Sequence, residues 1–441
     1  MKGKEVTPDA EKSWCGGPVN ERSHSSRSQS LDRLSNPRKV RRMIRMKNPE
    51  RFEPRSTLLR AIAVVLALVL ALLAADWSAS ASSAPVHSKA TGSALAKQLV
   101  ARAQRPVSFT RPGPALHLTK AARTKLRGKM IYYVANGLNF PFTQALLSGF
   151  RQAAGLVGVR IVAVDGAGQA SQASRLIDQG VARKAAIIVI QSFPANQLTA
   201  AIQDAKRARI PVIEEFEADP QRPPPSERAI GVSATSTFCY SCAGRQVADL
   251  AVANLGTKVN AVVFNVPEIG VSSLERDGFT REMKLLCPTC KVSSVDAPLA
   301  TWNTQLGKLT SSVLQRDQSV NFLFPLFDSM IAIMKPSILS ANAQNRVKIG
   351  SYNATLPAMQ ELKVGNTVIG DVGGMNAWVG WGTMDQVLRL LTGRTPVPNE
   401  NVPNRTFTKT NIGSVNLKQN ETTWYGAVRF RAKYRRLWGL G

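Results

Sequence analysis

Histidine is nearly missing from this 441-residue chain: of the three present, His24, His87 and His117, none falls within the part that shows a repeating α/β pattern. That scarcity excludes a Ser-His-Asp triad and a multi-histidine metal site. Phosphate-cradling loops are missing too, since neither G-x-G-x-x-G nor G-x-x-x-x-G-K-[ST] occurs. Acidic residues are few, 29 against 57 Lys and Arg, for a formal net charge of +28. Such an excess invites a nucleic-acid reading. Fifteen of the basic residues, however, lie at or before Arg60, and the others are scattered with no cluster on one helix face. No nucleic-acid partner is therefore expected, because basic charge of this kind serves solubility or general surface attraction.

Long apolar runs are also scarce. The most prominent covers fifteen uncharged residues, Ala61 to Ala75, short of the roughly 18–20 that a spanning helix needs. A positive flank precedes it and Ala79-Ser80-Ala81 supplies a small-x-small cleavage pattern, so residues 58–81 read as a signal peptide, with an uncleaved anchor as the alternative. No cysteine stands close behind the run, the next being Cys239, and lipid attachment there is not expected. Residues 1–57 are polar, rich in Ser and Arg and broken by Pro and Gly, the composition of a disordered basic leader. Met43 or Met46 would leave a short basic n-region and is the expected start of translation. The chain is expected to be extracytoplasmic and to meet a membrane only through a permease or an uncleaved anchor.

What is present begins, after a Pro-containing stretch at 82–127 that reads as a linker, with short β-rich runs separated by amphipathic windows. The spacing predicts strands at Met130–Ala135, Ile161–Val164, Ala186–Ile190 and Pro211–Ile213, with helices between them. A Pro-rich break at Pro220–Pro225 precedes a short strand, Ile230–Val232, and the alternation then begins again and runs to a helix at Val379–Leu391. Parallel βαβ units follow from this pattern, and two successive sets imply two Rossmann-like lobes. The expected division is 128–232 with 374–400 for the N-terminal lobe, and 233–373 with 401–441 for the C-terminal lobe and tail. Chain crossings between the lobes are expected near Gly231–Ser233, Tyr352–Asn353 and Gly373–Met375. In open parallel sheets ligands bind beyond the carboxyl ends of the strands, so those loops are where function should sit.

The loop after the first strand reads Ala135-Asn136-Gly137-Leu138-Asn139-Phe140-Pro141-Phe142-Thr143. With this segment the chain resembles the sugar-binding proteins of the ribose-binding type, the type I periplasmic solute-binding fold of ABC transporters, in which an Asn-x-Pro-Phe segment opens the first helix. Ile210-Pro211-Val212-Ile213, Arg276-Asp277-Gly278-Phe279, Trp378 through Gly393 and the ending Tyr434-Arg435-Arg436-Leu437-Trp438-Gly439 extend the resemblance from about Gly128 to the C-terminus. It implies two lobes joined by a three-crossing hinge, a monomer, no cofactor, no metal and no catalysis. The implied function is that of a receptor binding a sugar, polyol or related small polar ligand between the lobes and presenting it to a permease. A sensory module that reports occupancy to a receptor or kinase is the alternative. A DNA-binding repressor with the same lobes is excluded by the signal sequence that stands where its helix-turn-helix would be.

Aromatic faces stack on the C–H faces of sugars while amides and carboxylates hold the hydroxyls. On that chemistry the candidate ligand contacts are Asn139, Phe140, Phe142, Gln191, Ser192, Glu215, Phe216, Arg276, Phe327, Asp328, Asn353 and Asn376. Phe142 could instead anchor the first helix, Gln191 and Ser192 could cap the helix after them, and Asp328 could cap the helix at Ser329. Several positions depart from the family. The Asp-Arg clamp after the Ile-Pro-Val-Ile strand is replaced by Phe216-Glu217, and Glu275 stands where the family arginine of the Arg…Gly-Phe helix is expected, with Arg276 one residue nearer Gly278. Glu214, Glu215 and Asp328 leave a carboxylate-only glycosidase as the surviving enzymatic option; the expectation is no enzyme.

Four of the five cysteines form two C-x-x-C pairs, Cys239/Cys242 and Cys287/Cys290. A zinc site built from all four cysteines needs every sulfur about 2.3 Å from one point, whereas helices of this length separate a helix start from a helix end by roughly 20 Å. Two local disulfides are expected in an oxidising compartment; free thiols and metal are the alternatives. Cys15 lies in the leader.

Overall fold

A computed structural model describes residues 92–441 of the protein; the leader, the signal segment and His24 and His87 lie outside the described residues. Two sheets organise the chain. The first has strands β1 (Met130–Ala135), β2 (Arg160–Asp165), β3 (Ile187–Gln191), β4 (Val212–Glu215) and β5 (Val232–Ser236), in the order β2-β1-β3-β4-β5 and parallel throughout. In the second, β6 (Asn260–Asn265), β7 (Lys291–Asp296), β8 (Phe322–Pro325), β9 (Lys348–Tyr352) and β10 (Val368–Gly374) repeat that order, β7-β6-β8-β9-β10. A final strand, β11 (Asn404–Thr408), adds antiparallel to β10. The inner strands are largely buried, and the most apolar of them shows what covering on both faces demands: β3, Ile-Ile-Val-Ile-Gln, is buried at every residue. Edge strands β2 and β7 carry exposed ends and polar residues instead.

Helices pack on both faces, and in each lobe one crossing relies on glycines. In the first lobe α3 (Pro141–Gly155) meets α12 (Asn376–Leu391), where a Cβ on Gly149 would lie 2.3 Å from the Ala377 carbonyl oxygen and one on Gly380 2.3 Å from that of Leu146. In the second α7 (Tyr240–Leu255) meets α8 (Val271–Leu286), with Gly244 and Gly278 in equivalent close approach to Glu275 and Ser241. Backbones this close admit no side chain. Helix α12 is buried over nearly its whole length and carries an ion pair inside, Arg389 Nε to Asp385 Oδ2 at 2.6 Å, further held by Trp438 Nε1 donating to Asp385 Oδ1 at 2.7 Å.

The boundaries differ from the sequence reading in three places. Strand β5 is hydrogen-bonded to β4, so the chain first leaves the first sheet after Ser236 and not at Gly231–Ser233. The loop at Tyr352–Asn353 joins β9 to α11 (Leu356–Val364) and thence to β10, all on the second sheet, so it is not a crossing; the chain crosses after Gly374, and again between α12 and β11. The described part of the supposed linker, 92–127, is packed structure. It contains α1 (Gly92–Ala103) and α2 (Lys120–Leu126); Gly92 abuts Leu286, Phe109 stacks on Trp378 at 5.4 Å, and the Leu116 and Leu118 amides donate to the Leu437 and Trp438 carbonyls at 2.8 Å each. Those last partners belong to α13 (Phe430–Trp438), which closes on α12 through stacked Trp381 and Trp438 at 5.4 Å. The tail 401–441 thus serves both lobes. Cys239–Cys242 and Cys287–Cys290 are disulfides, at the start of α7 and beyond the end of α8.

Candidate functional site

The carboxyl ends of the two sheets face one cavity of about 250 Å³. From the first lobe Asn136 follows β1, Phe140 and Phe142 enter α3, and Ser192 and Phe216 follow β3 and β4. From the second come Phe327, Asp328 and Ser329 after β8 and Asn353, Thr355 and Pro357 after β9, while Phe238 and Asn376 sit at the crossings. Tyr240, Ile269, Val271, Leu299, Ala332 and Trp302 complete the wall. The cavity lies outside the carboxyl ends of the strands, the place where open α/β sheets bind their ligands.

Rings form a continuous band across it. Phe140 stacks on Phe142 at 6.0 Å, Phe142 meets Phe216 edge-on at 6.2 Å, Phe216 stacks on Phe238 at 5.5 Å, and Phe238 meets Tyr240 at 6.4 Å. On the far side Trp302 and Phe327 lie 6.5 Å apart. Three cavity residues that follow strands hold left-handed backbone: Ser192 at φ 56°, Phe216 at φ 63° and Asn353 at φ 125°. Non-glycine residues avoid this region, and where they occupy it the surrounding structure sustains a cost of about 1–3 kcal/mol. Here it turns three loops sharply so that their side chains meet the cleft.

The polar groups are held in place. Asn136 Nδ2 donates to the Ser192 carbonyl at 2.8 Å, and Gln191 accepts from the Asn136 amide at 3.1 Å while donating to Ser192 Oγ at 2.8 Å. Asp328 Oδ2 accepts from the amide and hydroxyl of Thr355 at 2.7 and 2.9 Å, and the Ala354 amide donates to Asp371 Oδ1 at 3.1 Å. Burial pushes the Asp328 carboxyl up to about 6 against the pull of the Thr355 hydrogen bonds, and burial beside Asp328 holds Asp371 well above the carboxylate range. Glu275, fully buried with no hydrogen-bond partner on either oxygen, is raised in the same way, by burial first and then by the charges of Asp328 and Asp219.

Of the residues picked out from the sequence, the structure brings Phe140, Phe142, Ser192, Phe216, Phe327, Asp328, Asn353 and Asn376 to the cavity. Four are elsewhere. Asn139 is exposed near the end of the loop, two residues before α3 begins, while the next residue, Phe140, lines the cavity. Gln191 is buried beneath the loops and braces Asn136 and Ser192. Glu215, the last residue of β4, points into the first lobe, where Tyr133 donates to it at 2.7 Å and Thr383 of α12 also donates. Arg276 lies on the outer side of α8 against its neighbour Asp277 at 2.9 Å, because Glu275 takes the inward position. Neither alternative cap is realised: the amide of Ala195 donates to Glu214 at 3.1 Å, and Asp328 makes no side-chain cap to its own helix. Sequence reasoning missed Asn136, Phe238, Tyr240, Trp302 and Thr355. Asn136 and Thr355 stand in strand-to-helix loops already in view and could have been found by position, and so could Trp302, on the short 3₁₀-to-π turn that follows β7.

Comparison with known proteins agrees with the architecture. A solute binding protein of an ABC transporter from Agrobacterium vitis with bound allitol is 19% identical, with a TM-score of 0.58, over 67% of this chain and 100% of its own. One from Actinobacillus succinogenes with bound D-allose is 16% identical, TM-score 0.57, over 65% and 100%, and the periplasmic ribose ABC transporter structure from Conexibacter woesei is 16% identical, TM-score 0.57, over 68% and 98%. At these identities the likeness is one of fold. No curated protein matches the chain. The model of the periplasmic binding protein domain matches residues 131–395, and with more than half its length covered the chain belongs to that family.

Proposed function

We propose that the protein is an extracytoplasmic receptor that takes a small sugar or polyol into the cleft between its lobes and delivers it to an ABC transporter permease. The family binds solutes and is not enzymatic, and no catalytic grouping is required of the residues in the cleft. The observation that carries the reading is the cavity itself: aromatic rings together with amides, hydroxyls and one carboxylate, at the carboxyl ends of two sheets with the same strand order over five strands. This is the mixture that orients a ring by its faces and reads it by its hydroxyls. Phe140, Phe142 and Trp302 are the proposed platforms; Asn136, Ser192, Asp328, Asn353 and Asn376 are the proposed polar contacts.

Closure would occur about the crossings after Ser236, after Gly374 and between α12 and β11, the loops that absorb such rotations. Residues 58–81 are proposed to export the chain as a signal peptide; among the described residues no helix is long and apolar enough to cross a membrane. The receptor is proposed to act as a monomer and to hold no metal or cofactor. Calorimetry and thermal melting against a panel of neutral sugars and polyols test the reading. A ligand present at 100 times its Kd raises stability by about 2.7 kcal/mol, and no heat and no melting shift with any compound would refute it. Recovery of a permease with the crosslinked protein tests the partner, and N-terminal sequencing of the mature protein tests the export segment.

A further inference from the structure

The cleft is unlike a general hydroxyl-binding site in two respects. First, no Lys, Arg or His lines it, and its one charged residue is the buried Asp328. The two places where the family resemblance led us to expect arginines hold Phe216-Glu217 and Glu275. Second, its walls are mostly rings and aliphatic carbons; apart from Tyr240 and Trp302, the polar side chains come from the loops after β1, β3, β8 and β9 and from Asn376. The side chains of Ile269, Val271 and Leu299 bring no oxygen or nitrogen to the cleft, and the indole nitrogen of Trp302 already donates to the Ala297 carbonyl at 2.8 Å. A ligand hydroxyl set against these residues would lose its water and gain no side-chain partner.

Charge points the same way. Behind the wall the ionisable neighbours of Tyr240 are Glu275, Glu217, Asp219 and Glu215, all acidic, and neither oxygen of Glu275 has a hydrogen-bond partner. A carboxylate or phosphate on the ligand would enter a site whose lining offers no cation.

We infer that the ligand is an uncharged sugar derivative with one apolar face or substituent, a deoxy sugar or an alkyl or aryl glycoside, in place of a fully hydroxylated or acidic sugar. This rests on the receptor reading above and narrows it. The mostly apolar lining gives the physical basis: its few polar side chains read hydroxyls, while Trp302 and the Phe140–Phe142 pair take hydrocarbon or an aromatic ring.

The test is calorimetric titration of the full exported protein with D-glucose and D-allose, their 6-deoxy analogues, their methyl and phenyl glycosides, and the corresponding hexuronates. The deoxy or glycoside form should bind at least about tenfold more tightly than its parent, the scale expected for one buried hydroxyl without a partner, with a more negative heat-capacity change, and the hexuronates should not bind. Trp302→Ala should erase that preference without lowering affinity for the parent sugar by the same factor, and Trp302→Phe should restore it. Equal or tighter binding of the parent sugars, or hexuronate binding comparable to them, overturns the inference and leaves the receptor reading standing. Silence in every arm overturns the receptor reading itself.

Discussion

Glu215 offers the sharpest test of the interior. It is fully buried at the end of β4, accepts from the Tyr133 hydroxyl at 2.7 Å and from Thr383, and has no cation beside it; burial pushes its carboxyl from 4.5 up to about 7, although both hydrogen bonds pull the other way. The sign follows from linkage. Below pH 4.5 the group is protonated folded and unfolded, and contributes nothing. Between 4.5 and about 7 the unfolded chain has released the proton while the fold still holds it, so stability falls as pH rises; above 7 the loss is complete. At about 1.36 kcal/mol per tenfold change in proton affinity the loss amounts to about 3 kcal/mol. For about 350 ordered residues this corresponds to about 5 °C in Tm. Glu215→Gln imitates the protonated carboxyl: its amide can donate to Thr383, whose hydroxyl lies 3.0 Å from Ser236 Oγ and can pass its own hydrogen there. The variant should therefore match the wild type at pH 5 and exceed it at pH 8 by about 3 kcal/mol in urea unfolding. A difference between the two proteins that stays constant from pH 5 to 8, or a variant weaker than the wild type at pH 8, would refute the buried, neutral Glu215.

Three further outcomes are expected. Arg389→Ala strands the Asp385 carboxylate, its partner at 2.6 Å inside α12, and should cost about 3–5 kcal/mol; adding Asp385→Asn should recover part of the loss, read as urea midpoints. Gly380→Val would drive a side chain into the Leu146 carbonyl and Phe150 amide, 2.3 and 2.6 Å from its Cβ, and should lower Tm by several degrees or prevent soluble expression, whereas Gly155→Ala, with open space around its Cβ, should not. Replacing Cys287 and Cys290 by Ser opens a loop of only four residues, so the expected loss is about 2 kcal/mol by loop entropy, with ligand affinity unchanged because neither residue lines the cleft.

Most of the first lobe was legible in the sequence because parallel strands buried on both faces must be apolar without a break, and Ile187–Ile190 leaves no other reading. The repeat of that pattern after Pro225 carried the second lobe as well. What the sequence hid was whatever depends on partners distant in the chain. Val232–Ser236 reads as a short, partly polar run, and only its ladder to β4 assigns it to the first sheet. The 92–127 segment looks like a linker because its apolar residues, Val100, Phe109, Leu116 and Leu118, are spread singly among prolines and basic residues; they are covered by elements more than a hundred residues away, Phe109 by Trp378 and the Leu116–Leu118 backbone by α13.

The same limit explains which site residues were found. Phe140, Phe216, Asp328 and Asn353 each sit just past a strand's carboxyl end, so position alone selects them. Glu215 is one residue earlier than Phe216 on β4, and alternation along a strand sends neighbours to opposite faces: with Phe216 turned to the cleft by its left-handed backbone, Glu215 faces the lobe interior and bonds to Tyr133 and α12. Glu275 and Arg276 are separated by the roughly 100° step of a helix, and the carboxyl, not the guanidinium, is the one turned inward. In both cases a shift of one residue exchanges a ligand contact for a buried or exposed charge. Where the resemblance implies arginines the chain carries Glu217 and Glu275, so no cation lines the cavity, and under the proposed reading the rings around it, Phe216 among them, set what the cleft can hold.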